Sequence, residues 1–122
     1  MILHADIVES IFGYWPDFAD AKIVSVTYER PDSVRLTVDY IDAGAGKAAV
    51  VSLWFTGVTD LELTDLLSEN VLDILGISHG APIVVTLEAC HGLQGRFHCS
   101  AVAVTAVVPN NSFKPTPLRG SA

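Results

Sequence analysis

The chain has 122 residues, half of them apolar and 17% charged, a balance that supports one packed core and excludes a disordered polypeptide. Up to residue 108 the five bases Lys22, Arg30, Arg35, Lys47 and Arg96 stand against all 14 acids, leaving −9 there and −7 overall. No basic run is present to neutralise phosphates, so nucleic acid is not an expected partner, and no apolar run approaches the roughly 20 residues of a membrane-spanning helix.

In chain order, residues 6–12 read as a short helix, because Ile7 with Ile11 and Val8 with Phe12 are i,i+4 apolar pairs and Gly13 is a stop. This opening carries His4, Asp6 and Glu9 with no basic start, so no secretory signal is expected. The cytoplasm is then the expected compartment, with Cys90 and Cys99 as free thiols. Residues 13–18 form an aromatic loop holding Tyr14, Trp15 and Phe18. Strands are predicted over 21–28, 34–41 and 48–58, where Val34, Leu36, Val38 and Tyr40 alternate with polar residues in the clearest of the three. Residues 30–33 and 42–47 are turn and hairpin-loop material. After an extended stretch at 60–63, Thr64 is placed to cap a helix over 65–75, whose apolar face would be Leu67, Val71 and Ile74 or Leu75, with Gly76 ending it. Strands over 82–90 and 95–108 would form a last hairpin, with Ile83, Val85 and Leu87 facing Val102, Val104 and Ala106. The pattern predicts an α+β domain over 1–108: a curved, mainly antiparallel sheet of about five strands with two short helices packed on it. Residues 109–122 lack periodicity and read as an extended or disordered tail, whose 113–120 stretch resembles a segment appended to unrelated bacterial proteins.

Motifs for chemistry are weak. Cys90, His91, His98 and Cys99 invite a zinc site, but a hairpin placing Cys90 opposite Cys99 and His91 opposite His98 would send the cysteines to one face and the histidines to the other. No Gly-x-Ser-x-Gly elbow is present, and Gly44-Ala45-Gly46-Lys47 lacks the Gly and the Ser or Thr of a phosphate loop and leads into a strand. No cofactor, metal or catalytic residue is therefore expected. The acids Asp60, Glu62 and Asp65 cluster, and Tyr14, Trp15, Asp17 and Asp20 mix aromatics with carboxylates as contact surfaces do. In that loop Trp15 and Phe18 suit a core role and Tyr14 and Asp17 an exposed one.

The run Ile11-Phe12-Gly13-Tyr14-Trp15-Pro16-Asp17-Phe18-Ala19-Asp20-Ala21 resembles the opening motif of the immunity protein 50 family of bacterial polymorphic-toxin systems. Val58-Thr59-Asp60-Leu61-Glu62-Leu63 and Asn70-Val71-Leu72 fit the same pattern, over about residues 1–108 by element order. The chain departs from that pattern at Ala19, where a His is common, and at Lys22, where a Glu is common. The resemblance implies a non-enzymatic protein that binds and neutralises a cognate toxin. A basic toxin would suit the charge, and Tyr14, Trp15, Asp17, Asp20, Asp60, Glu62 and Asp65 are the candidate contacts. Two rivals stand beside it: a small-molecule-binding or hydrolytic domain with a pocket of Trp54, His79, His91 and His98, and a homodimer or larger oligomer paired through a sheet edge.

Overall fold

The computed structural model describes residues 1–110, and most of the segment expected as a tail lies outside them. Strand dominates. The order is β1 (Ile2–Leu3), α1 (Ala5–Phe12), β2 (Lys22–Glu29), β3 (Ser33–Asp42), β4 (Lys47–Thr56), β5 (Thr59–Thr64), β6 (Val71–Ile77), β7 (Ile83–His91), β8 (Gln94–Cys99) and β9 (Ala101–Pro109). These nine strands form one mixed sheet in the order β1-β9-β4-β3-β2-β6-β7-β8-β5, in which β1 runs parallel to β9 and the other pairs are antiparallel.

The sheet narrows at β2 and β6, which pair at the single position Lys22–Val71. Around this point the N–H of Ile23 donates to Asn70 O and the N–H of Leu72 to Ala21 O. The two halves turn their inner faces together. Phe55 of β4 meets Phe97 of β8 edge-on, with ring centroids 5.1 Å apart, although four strands separate them in the sheet. Alternation explains the lining. Val34, Leu36, Val38 and Tyr40 of β3, Ala49, Val51, Leu53 and Phe55 of β4, and Ile83, Val85 and Leu87 of β7 are buried at every second position. Helix α1 closes one end by burying Val8 and Phe12, the latter 5.1 Å from the Tyr40 ring. Gly13 ends the helix as expected: at φ 88° it adopts the left-handed conformation and its N–H donates to Glu9 O.

The expected α+β fold with about five strands and two helices is overturned: the described residues form a nine-stranded β structure with one short helix. The helix expected over 65–75 does not form; Thr64 ends β5, and β6 begins at Val71. The physical reason is a bulge. Leu72 pairs with Ala89 and Ile74 with Glu88, so Asp73 is an extra residue and Leu72 and Leu75, three apart, both point into the core. Of the expected helical face only Leu75 is buried; Leu67 and Ile74 are exposed and Val71 is half-buried. The strand expected over 95–108 is two strands broken at Ser100, whose N–H donates to Thr56 O. A continuous strand of that length would run roughly 45 Å, too long for one small sheet. The break sends β8 to β7 and β9 to β4, so Ile83, Val85 and Leu87 face Cys99, Phe97 and Gly95, not Val102, Val104 and Ala106. Among the described residues no helix is long and apolar enough to cross a membrane.

Candidate interaction surface

The aromatic loop after α1 divides by depth. Phe18 is fully buried and meets Tyr40 at 5.4 Å; Trp15 is half-buried and stacks edge-on against Phe18 at 5.6 Å. Tyr14 is exposed but engaged: its O–H donates to Asp42 Oδ2 at 2.7 Å, and its oxygen lies 2.9 Å from the Tyr40 hydroxyl. Those bonds to Tyr40 and Asp42 push the Tyr14 phenol up from its ordinary value. The same Tyr14 bond, joined by the Ala45 N–H, holds the Asp42 carboxyl below its own. Asp17 shapes the loop. Its Oδ1 accepts the Ala19 N–H at 3.1 Å, and its carbonyl accepts the Leu75 N–H at 2.8 Å, fastening the loop along β6. Asp20 continues that attachment through its N–H to Leu72 O and sets Oδ1 3.7 Å from Cys90 Sγ.

The second candidate cluster lies on β5, the terminal strand of the sheet, with Asp65 just past its end, and not at a helix start. Asp60 Oδ2 is 3.2 Å from His98 Nδ1, and Asp65 Oδ2 accepts Gln94 Nε2–H at 2.8 Å and the Thr64 hydroxyl at 3.3 Å. Glu62 stands opposite Arg96 of β8, which stands opposite Thr86 of β7. These strands carry an open groove of about 820 Å³, lined among others by Leu61, Glu62, Asp73, Thr86, Glu88 and Arg96. Gly95 lets β8 approach β5 here, since a Cβ at that position would collide with the Glu62 carbonyl.

The two clusters are unequal neighbours. Asp20 sits beside Cys90 of β7, where desolvation, then the charges of Asp73 and Asp20, push the thiol up. Tyr14 instead turns to Asp42 at the β3–β4 end. Sequence reasoning missed Asp73 and Glu88. Alternation along 83–91 could have found Glu88, because it lies opposite in phase to Val85 and Leu87; Asp73 was hidden by the helical reading.

The rival pocket is not assembled. Trp54 lies under the Arg35 guanidinium at 4.8 Å, His98 lies beside Asp60 at the β5 edge, His91 is opposite Val71, and His79 is in the exposed turn after β6. The symmetric cysteine–histidine hairpin is also overturned: Cys99 is buried opposite Ile83 and His98 pairs with Val84, while Cys90 is exposed at the other end of β7. Among the described residues no group of three or more His, Cys, Asp or Glu is placed to hold a metal ion.

The profile of the family described as immunity protein 50 matches residues 4–110. The chain belongs to the immunity protein 50 family. The match begins just before α1 and runs past the end of β9, so the family's unit is nearly the whole described body, acidic groove included. No curated protein and no solved structure matches the chain.

Proposed function

We propose that this immunity protein 50 family member neutralises a cognate bacterial toxin by stoichiometric binding in the cytoplasm, without catalysis and without a cofactor. The family match over residues 4–110 carries the reading. The charge supports a basic toxin: residues 57–99 hold Asp60, Glu62, Asp65, Glu69, Asp73 and Glu88 against Arg96 alone, and such a field speeds encounter with a positive partner. Of the candidate contacts, Glu62 acts through charge in the groove, and Asp20, Asp60 and Asp65 add to the negative field around β5 and β7. Tyr14, Trp15 and Asp17 hold the aromatic loop in place and contribute a second contact apart from the groove.

The test is co-expression with the toxin encoded in the adjoining reading frame. The reading expects cells to survive when the chain is present and the two proteins to purify together. Death of the cells despite well-expressed, folded chain would overturn it.

A further inference from the structure

Resting on the toxin-binding reading above, we infer that the groove across β5, β8, β7 and β6 receives an extended segment of the toxin bearing lysine or arginine, laid over that face of the sheet. These strands pair side by side beneath the groove, so a segment seated in it is held by side chains and not by a backbone ladder.

The groove then states what those side chains are. Glu62, Asp73 and Glu88 line it, and among the described residues none of the three is in an ion pair. Leu61 adds an apolar wall, 37% exposed. A segment alternating cationic and apolar residues satisfies both. A second copy of the chain does not: its own β5, laid in the groove, would bring Asp60 and Glu62 toward Glu62, Asp73 and Glu88, and like charges repel.

The experiment measures affinity for the toxin from the adjoining reading frame with the full chain and with Asp73→Lys, Glu88→Lys and, as a control on α1, Glu9→Lys; all three positions are exposed. Amide NMR spectra verify that each variant is folded. The inference expects each groove reversal to weaken the complex by at least about tenfold and Glu9→Lys to change it by less than about twofold. Unchanged affinity in both groove variants, with the wild-type complex intact, overturns the groove assignment and leaves toxin neutralisation standing. Absence of a wild-type complex overturns neutralisation itself. A capped Lys-Val-Lys-Val-Lys peptide tests the groove separately: amide shifts at Leu61, Thr86 and Gln94, lost in Glu88→Lys, are expected, and shifts confined to other surfaces overturn the assignment.

Discussion

Asp20, Asp60 and Asp65 have φ of 63°, 54° and 64°, a left-handed backbone that aspartate tolerates and β-branched residues resist. These carboxylates therefore have a local reason to be aspartate besides charge, and substitution can separate the two. Asp65→Val should lower stability by about 1–2 kcal/mol in urea unfolding, because the backbone strain falls on a β-branched residue. Asp65→Asn should keep the fold, since asparagine accepts the same conformation, and any loss of toxin binding it shows then belongs to the charge. Tyr14 and Asp42 make a second residue-scale case. Asp42 titrates below its ordinary 3.8 in the folded protein, so its contribution is present above 3.8 and is lost as pH falls through the lower folded value. Tyr14 titrates above its ordinary 10.0, so its contribution is present below 10.0 and is lost as pH rises through the folded value. Tyr14→Phe should be less stable than the parent across the range between, and the difference should narrow in strong acid, where only the neutral bonds such as that to Tyr40 remain, and again in strong base.

At the scale of elements, the bulged strand β6 and the tight approach of β8 to β5 are the critical pieces. Leu75 is buried and is aligned with the core by the extra residue Asp73, so Leu75→Ala should cost about 2–5 kcal/mol by denaturant unfolding. Gly95→Ala should detach β5 locally, because the new Cβ meets backbone and not a movable side chain; hydrogen exchange should show lost protection along β5 with β3 and β4 unaffected. These same elements mark where the sequence stops being legible. β3 announces itself by strict alternation, and β4 and β7 by β-branched apolar runs in which alternate residues reach the core. β6 does not, because its bulge converts a period of two into a spacing of three between Leu72 and Leu75. The β8–β9 break at Ser100 is equally silent, since apolar alternation resumes on its far side and only the long-range bond to Thr56 O fixes the turn. The site was legible in the same measure. Asp60, Glu62 and Asp65 were visible as neighbours in sequence, yet only Glu62 of the three lines the groove, where strand pairing brings Asp73 and Glu88 to it.

For the whole molecule, the sheet sets an acidic groove across β5 to β8, while four of the five bases before residue 109 lie on β2 to β4 or the turn between β2 and β3. That uneven field predicts association with a basic toxin that slows several-fold as salt rises from low to about physiological ionic strength, as the Debye length shrinks to about 8 Å. Dissociation should change much less, because the contacts already formed are screened less than the approach. The most direct test of neutralisation by binding is to titrate the purified chain into a fixed amount of the toxin from the adjoining reading frame while following the toxin's own activity. Activity falling in proportion to added chain and reaching zero at one chain per toxin is the predicted result. Full activity at excess chain would contradict the account, and so would silencing by a small fraction of an equivalent, which would mean turnover.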